Sequence, residues 1–241
     1  MITSLLVMIV YKSTKRMVRQ IKDIAILLLT LLSSTPIYAH NYRNAESTQP
    51  THHLVCAYAE LFSVDVWKLE AAYHWFPIKY IGIGGAIGAW KQYIEDGVPS
   101  TPQWCVDDKS AKMYNGYFMP SVIMKSPSFI KSENVQLGLM SEVGFMMNIP
   151  YRKVEIGRFT NNEYYVYDRV SCNKGEWSAI NIRAGVYLNC DAISISLGYV
   201  FSNLDIYGMH RNMQYKGTKF NQFYPKRRNT GGAFLMVGYS F

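Results

Sequence analysis

The feature that most constrains this chain is a two-residue alternation of apolar and small or polar side chains, repeated along residues 53–241. In its clearest instance one face holds Trp67, Leu69, Ala71, Tyr73 and Trp75, and the other holds Lys68, Glu70, Ala72 and His74. A period of two with this contrast indicates a β-strand that has one apolar face. Since residues 40–241 show no convincing apolar stripe of helical period, we predict an all-β fold.

Eight segments follow the pattern, and their connections indicate how they are arranged. The segments lie at about 53–61, 67–75, 81–89, 117–124, 135–145, 180–188, 193–201 and 233–241. Connections at 77–78, 127–132 and 190–191 are short, whereas those at about 96–111, 148–176 and 205–230 are long; the link between the first two strands is a short exception. Short turns that alternate with long loops are typical of membrane barrels. We therefore expect a closed, antiparallel, up-and-down transmembrane β-barrel of about eight strands.

The direction of the apolar face separates a membrane barrel from a soluble one. The opposite face is rich in small residues, namely Gly82, Gly84, Ala86, Gly88, Gly138, Gly144, Gly185, Ser194 and Ser196. These residues would make a poor solubilising surface, but they fit the narrow interior of an eight-stranded barrel. We predict that the apolar face meets outer-membrane lipid. The alternative is a secreted, soluble, ligand-binding barrel with the apolar face inside.

Four charged residues share the small face: Lys68, Glu70, Glu142 and Arg183. Inside a membrane barrel they would lie in the lumen. Isolated buried charges are costly, so we expect these side chains to contact one another.

The beginning of the chain predicts export. Residues 17–39 run from a basic stretch through the apolar segment 24–32 to Ala39. That segment is about half of the ~20 residues that a spanning helix needs, which favours a cleaved signal peptide over an uncleaved anchor. Residues 1–16 are interpreted as an over-called N-terminal extension, which leaves 40–241 as the barrel. The net charge of +8 includes five basic residues and one acidic residue within 1–39. The small excess that remains gives no reason to expect nucleic acid as a partner.

The last segment, GGAFLMVGYSF, places Leu235, Val237, Tyr239 and Phe241 on one face. It resembles the signal by which the outer-membrane barrel assembly machinery recognises its clients. With this motif and the strand pattern, residues 40–241 resemble the small outer-membrane β-barrel proteins of Gram-negative bacteria, in the tyrosine-rich style of Bacteroides-like organisms. The resemblance implies residence in the cell outer membrane, but it transfers no catalytic residue.

The long loops are the predicted working parts. Residues 205–230 interleave aromatic and basic side chains and include the run FYPKRR. We predict a surface contact through Tyr224, Lys226, Arg227 and Arg228, with lipopolysaccharide or another extracellular ligand as the partner. The tryptophans Trp67, Trp75, Trp90 and Trp177 are assigned to the interfacial girdles of the barrel.

An enzyme is the alternative function. Barrel enzymes that act on lipid A use Ser and His with an acidic partner. Here His74 shares the lumen face with Ser194 and Ser196, but the sequence does not bring them together. A hydrogen-bonded lumen histidine is the simpler interpretation, so we predict a non-enzymatic structural or surface-contact role. No cysteine or histidine spacing indicates a metal site, and no cofactor is expected.

The four cysteines are Cys56, Cys105, Cys172 and Cys190. Cys105 and Cys172 lie in long loops that would converge over one mouth of the barrel, and an exported chain can form disulfides. We predict a bridge between these two residues. Four unbridged thiols remain the alternative, because pairing cannot be deduced from sequence alone.

Overall fold

The computed structural model describes residues 52–241 apart from 64, 94–97, 133–134, 150, 161–162, 173, 175–176, 225 and 227–228. The predicted extension at 1–16 and the predicted signal peptide at 17–39 lie outside the described residues, as do Arg227 and Arg228. None of the helices among the described residues has the length and apolar character needed to span a membrane.

Fourteen strands are present in the described residues, and eight of them form the barrel. In chain order the strands are β1 (His53–Phe62), β2 (Val66–Ile78), β3 (Ile81–Gln92), β4 (Cys105–Val106), β5 (Tyr114–Lys125), β6 (Ile130–Lys131), β7 (Val135–Asn148), β8 (Arg152–Thr160), β9 (Glu163–Cys172), β10 (Ser178–Cys190), β11 (Ile193–Ser202), β12 (Gln214–Tyr215), β13 (Thr218–Lys219) and β14 (Thr230–Ser240). Two one-turn helices, α1 (Asp108–Ala111) and α2 (Gly208–Arg211), and a 3-10 turn at Phe220–Gln222 lie between strands.

The barrel strands β1, β2, β3, β5, β7, β10, β11 and β14 form one antiparallel sheet in which each pairs with the next. β14 also pairs with β1, from Leu54 opposite Ser240 to Phe62 opposite Gly232, and this pairing closes the barrel. Closure leaves the barrel without an exposed edge strand. The predicted closed barrel of about eight antiparallel strands is confirmed.

The alternation in the sequence is reproduced as alternation in exposure. In β2, for example, Lys68, Glu70, Ala72 and His74 are buried, whereas Leu69, Tyr73 and Trp75 are exposed. The same parity holds in the other barrel strands, where the Gly- and Ser-rich face points inward. The predicted orientation of the two faces is therefore confirmed, and the soluble barrel with an apolar interior does not fit.

Glycines on the inner face make room for large lumen side chains. A Cβ added to Gly88 would lie 2.6 Å from the Tyr117 ring, and one added to Gly138 would lie 2.5 Å from the Tyr187 ring. Tyr117 uses this space to donate a hydrogen bond to Glu70 Oε2 at 2.7 Å. The small face of the sequence is thus small because aromatic side chains of neighbouring strands lie across it.

Two short turns are displaced from their predicted positions by one or two residues. The turn between β2 and β3 is Lys79 and Tyr80, beyond the predicted 77–78, and the turn between β10 and β11 is Asp191 and Ala192. Asp191 has φ 52, a left-handed conformation that Asp tolerates in tight turns. The three long connections lie at the opposite end of the barrel, as predicted.

The predicted bridge between Cys105 and Cys172 is not formed in the structure, where all four cysteines are thiols. Cys105 lies opposite Gly157 on one side of β8, and Cys172 lies opposite Arg152 on the other side. Five residues along β8 amount to roughly 16 Å, whereas a disulfide needs Cα atoms within about 7 Å. The two loops do converge over one mouth, but the β4–β8–β9 register keeps the cysteines apart.

Candidate functional site

Arg183 lies at the centre of a charged cluster inside the barrel. Its Nε donates to Glu60 Oε1 at 2.6 Å, its Nη1 to Glu142 Oε2 at 2.8 Å and its Nη2 to Glu70 Oε2 at 2.7 Å. All four residues are buried. Arg183 and Glu142 are direct cross-strand neighbours, whereas Glu60 and Glu70 reach Arg183 from across the lumen. The predicted contact among lumen charges is therefore present for Arg183, Glu70 and Glu142.

Lys68 joins this cluster through Glu60, a residue that the sequence analysis did not identify. Its Nζ lies 2.8 Å from Glu60 Oε2 and donates to Asn181 Oδ1 at 3.4 Å. Glu60 thus pairs with both Lys68 and Arg183. The sequence feature that could have identified Glu60 is that it is a single carboxylate within the otherwise largely apolar first strand. The guanidinium of Arg183 also stacks on the ring of Tyr58, with 3.9 Å between Cζ and the ring centroid.

His74 also joins the cluster, but its contacts are not those of a catalytic relay. Its Nε2 lies 3.0 Å from Ser121 Oγ and 3.2 Å from Glu142 Oε1. A relay needs the acid on one ring nitrogen and the nucleophile on the other, whereas here both contacts are made by Nε2. His74 is fully buried. Of the predicted lumen serines, Ser194 donates to Asn189 Oδ1 instead, at 2.7 Å.

Bulky side chains fill the lumen on both sides of the charged cluster. Towards the long loops, Trp90 is buried and donates from Nε1 to Asn148 Oδ1 at 2.8 Å. Its assignment to an interfacial girdle is therefore wrong. Towards the short turns, Lys125 Nζ lies 5.1 Å from the centroid of the Phe76 ring and 5.4 Å from that of Tyr187. The lumen is a packed core.

The described residues of the loop at 203–229 fold over the mouth of the barrel at the long-loop end and are themselves well packed. Residues 204–210 are all buried. Gln92 Nε2, at the end of β3, donates to the Tyr207 hydroxyl at 2.6 Å, which attaches the loop to the barrel wall. Tyr207 stacks on Tyr224 with ring centroids 5.3 Å apart. Arg211 donates from Nη1 to Asp205 Oδ1 at 2.9 Å, and this ion pair braces α2.

The other two long loops pack against this one or against the barrel rim. Trp104 stacks on Phe220 at 5.8 Å and meets Tyr215 edge-on at 5.3 Å. Arg152, at the start of β8, places its guanidinium 4.0 Å from the Tyr114 ring. Together the loops 93–113, 149–177 and 203–229 form what we call the cap.

One histidine of the cap is held in its neutral form. His210 is fully buried in α2, and its Nδ1 lies 3.4 Å from the Tyr224 hydroxyl. Burial, assisted by the nearby positive charge of Arg152, lowers the pKa of His210 from 6.5 to about 3. The packing of the cap therefore depends on an uncharged imidazole.

The cap contains a partly open cavity of about 930 Å³ that brings together basic, amide and aromatic side chains. It is lined by Gly208, Arg211, Asn212, Met213, Gln214, Lys219, Asn221, Gln222, Phe223, Tyr224 and Lys226. Of the residues predicted to form a surface contact, the exposed Lys226 and the buried Tyr224 both line this cavity. Tyr224 does so as part of the cap core. Within the described chain, no carboxylate is among the lining residues.

The β8–β9 hairpin presents a second aromatic and basic surface. Tyr165 and Tyr167 are exposed on β9, and with Gln103, Arg158 and Lys216 they line a shallower cavity of about 620 Å³. Lys216 stands at the tip of the β12–β13 turn, where its φ of 45 and the φ of 81 at Gly217 produce a tight hairpin.

The outside of the barrel is apolar over the length of its strands. Exposed aliphatic side chains form a belt that includes Ile83, Ile87, Leu139, Val143, Val186, Ile195, Leu197 and Leu235. Exposed aromatic residues flank the belt at both ends: Tyr114, Tyr151 and Trp177 at the loop end, and Trp75, Tyr239 and Phe241 at the turn end. A polar interior inside an apolar belt with two aromatic girdles is the arrangement of a membrane-spanning barrel.

Comparisons with known proteins add context to this geometry. No protein-family model matches the chain, and no curated protein matches it. Among solved structures, the N-terminal β-barrel domain of Pseudomonas aeruginosa OprF is 11% identical, covers 80% of this chain and all of its own, and has a TM-score of 0.39. Neisserial surface protein A is 10% identical, covers 78% of this chain and 94% of its own, with a TM-score of 0.39. The Escherichia coli outer-membrane protease OmpT is 9% identical, covers 82% of this chain and 99% of its own, with a TM-score of 0.25.

At these identities and TM-scores, the neighbours carry no information about activity. The membrane assignment follows instead from the closed sheet, the apolar belt and the charged lumen, because closed barrels are the β-structures that satisfy every backbone hydrogen bond in lipid. The protein is an integral outer-membrane β-barrel.

Proposed function

We propose that this protein is a non-enzymatic outer-membrane barrel with a sealed lumen, and that its outer loops act as a contact surface on the cell exterior. The observation that carries the proposal is the contrast between the two ends of the barrel. One end has tight turns, whereas the other carries an ordered cap with basic and aromatic cavities. Loops placed on a rigid scaffold commonly carry binding functions.

The lumen supports the non-conducting part of the proposal. The Arg183 cluster spans the lumen from β10 to β1 and β2, and buried aromatic residues pack on either side of it. Opening a channel would leave Glu60, Glu70 and Glu142 without their common partner, which would cost several kcal/mol.

The contacts of His74 support the absence of a lipid-modifying activity. Its serine and carboxylate neighbours share one ring nitrogen inside a water-excluded core. To be attacked, a lipid substrate would have to enter that core. The closed sheet and its packed side chains separate the lipid outside the barrel from His74 inside it.

The test is to ask which side of the membrane the cap occupies. A short peptide epitope inserted after Gly217, at a turn where an added Cβ would meet nothing within 4 Å, should not disturb folding. Antibody staining of intact cells should detect this epitope. The matched control carries the same epitope between Asp191 and Ala192 and should stain only after the outer membrane is permeabilised. The opposite staining pattern would refute a surface-contact role.

A further inference from the structure

The cavity in the cap has the chemistry of a site for acidic sugars. Arg211, Lys219 and Lys226 line it, and no carboxylate is among the described lining residues. Asp205 pairs with Arg211 from behind the lining, so the two lysines carry the charge that faces the cavity. Its volume of about 930 Å³ falls within the ~300–1,000 Å³ that is usual for small-molecule sites. We propose that this cavity binds a glycan bearing sulfate, phosphate or carboxylate groups, an inference that rests on the surface-contact function and names its ligand class.

The cations differ in how firmly they are held. Asp205 accepts from Arg211 Nη1 at 2.9 Å and contacts Nη2 as well, so the guanidinium has a fixed orientation. Lys219 and Lys226 are exposed residues that line the cavity, and their four-carbon side chains are flexible. The Asp205 carboxylate occupies both Nη groups of Arg211 and offsets its charge. The charge offered to a ligand therefore comes from the ammonium groups of Lys219 and Lys226, which adapt to the spacing of charges along a chain.

The remaining lining side chains favour a sugar over a lipid or a simple ion. The amides of Asn212, Asn221 and Gln222 offer both donors and acceptors, which is what hydroxyl groups require. Phe223 supplies an apolar ring at the edge of the cavity, and Tyr224 supplies a second ring that is fixed by stacking on Tyr207. An acyl chain would gain little from a lining so rich in amides, and an isolated ion would leave most of the cavity unfilled.

The cavity is preorganised by the packing beneath it. Tyr224 is buried against Tyr207 and His210, and α2 is braced by the Asp205–Arg211 ion pair. A ligand would therefore meet a site that is already formed, which reduces the entropy lost on binding.

The test uses the full-length protein purified in detergent micelles and two fluorescent polymers, dextran sulfate and neutral dextran of equal length. We expect binding of dextran sulfate that weakens as salt is raised, and no binding of neutral dextran. The double variant Lys219→Gln/Lys226→Gln should bind at least about 10-fold more weakly. Phe223→Ala, which changes no charge but removes an apolar contact surface, should weaken binding by about 3-fold.

The matched control is Lys131→Gln/Lys153→Gln, which removes the same charge from two exposed lysines outside the cavity. It should change the dissociation constant by less than about 2-fold, as exposed charges away from a site are screened. Equal weakening in the control, or an unchanged affinity for Phe223→Ala, would show only general attraction to a basic surface and would overturn the site. Absence of dextran sulfate binding, or equal binding of neutral dextran, would overturn the ligand class. Heat-modifiable gel mobility establishes that each variant is folded.

A second experiment distinguishes lipopolysaccharide from a soluble polysaccharide as the source of the glycan. Vesicles containing the barrel with or without lipopolysaccharide in the same leaflet are titrated with dextran sulfate. Competition by the lipopolysaccharide would indicate that its phosphorylated sugars occupy the cavity, whereas unchanged binding would indicate a soluble polysaccharide. Since the epitope test of cap orientation involves no ligand, a failed sugar site and a failed surface-contact role remain distinguishable.

Discussion

Arg183 Nε lies 2.6 Å from Glu60 Oε1, although β11 and β14 separate their strands in the sheet. The contact therefore crosses the lumen instead of following the wall, and it ties opposite sides of the barrel together. Glu70 and Glu142 complete the arrangement. One guanidinium thus contacts three carboxylates, of which Glu60 also pairs with Lys68.

Replacing Arg183 should destabilise the barrel more than replacing any other lumen residue. Arg183→Met leaves Glu60, Glu70 and Glu142 buried without their shared cation, which we expect to cost about 3–5 kcal/mol of unfolding free energy. This loss of unfolding free energy is measured by urea titration of the protein in lipid vesicles, with unfolding followed by gel mobility. The control Lys68→Met should cost less, because Glu60 keeps its contact with Arg183. Equal stability of Arg183→Met and the wild type would mean that the cluster contributes no stability.

A charge placed on the lipid belt should impair insertion. Leu197 is 57% exposed on the outer face of β11, and an arginine facing mid-bilayer lipid costs about 2–4 kcal/mol. We expect Leu197→Arg to lower the folded fraction in vesicles, whereas Leu197→Phe should insert normally. Normal insertion of the arginine variant, judged by protease protection, would contradict the assignment of the faces.

Acid should loosen the cap while the barrel stays folded. The pKa of His210 is about 3 in the packed cap and returns to about 6.5 once the loop opens. Between these values the open form binds more protons, so stability is present above pH 6.5 and is lost as the pH falls towards 3. At pH 4.5 the loss is about 3 kcal/mol.

Hydrogen exchange measures this loosening. Amides at 204–215 should exchange faster at pH 4.5 than expected from the intrinsic rate change, while those in β10 should not. The variant His210→Gln should lose the additional pH dependence. Acid-independent protection of the wild-type loop would contradict the prediction.

The outer face of β14 remains a predicted assembly signal. Leu235, Val237, Tyr239 and Phe241 share that face, and Phe241 stacks on His53 with ring centroids 5.3 Å apart where β14 meets β1. Phe241→Asp should slow closure of the barrel and lower the amount found in the outer membrane under strong expression. Phe241→Tyr preserves the stacking and serves as the control. Wild-type levels of the Asp variant would indicate that the pattern is coincidental.

The sequence predicted the barrel well because membrane and lumen impose opposite demands on alternate residues. It failed where that contrast is weak. In β1 both faces are largely apolar, with Val55 and Leu61 outward and Leu54 and Tyr58 inward, so the role of Glu60 was not evident.

The cap was harder to predict because its packing is not local. The run around Tyr224 has the composition of an exposed basic segment, yet Tyr224 is buried against Tyr207, seventeen positions earlier. The Cys105–Cys172 prediction failed for a related reason. Convergence of two loops fixes which residues share a mouth of the barrel, but the strand register within the cap decides which of them touch.

The most direct test of the sealed-lumen account is the electrical conductance of the purified protein in planar lipid bilayers. The packed core around Arg183 predicts that insertion produces no stable conductance steps in 1 M KCl, at either polarity. The double variant Trp90→Ala/Arg183→Ala, purified in the form that gel mobility shows to be folded, should produce intermittent steps. Stable ohmic steps from the wild-type protein, with amplitudes that scale with salt concentration, would contradict the account.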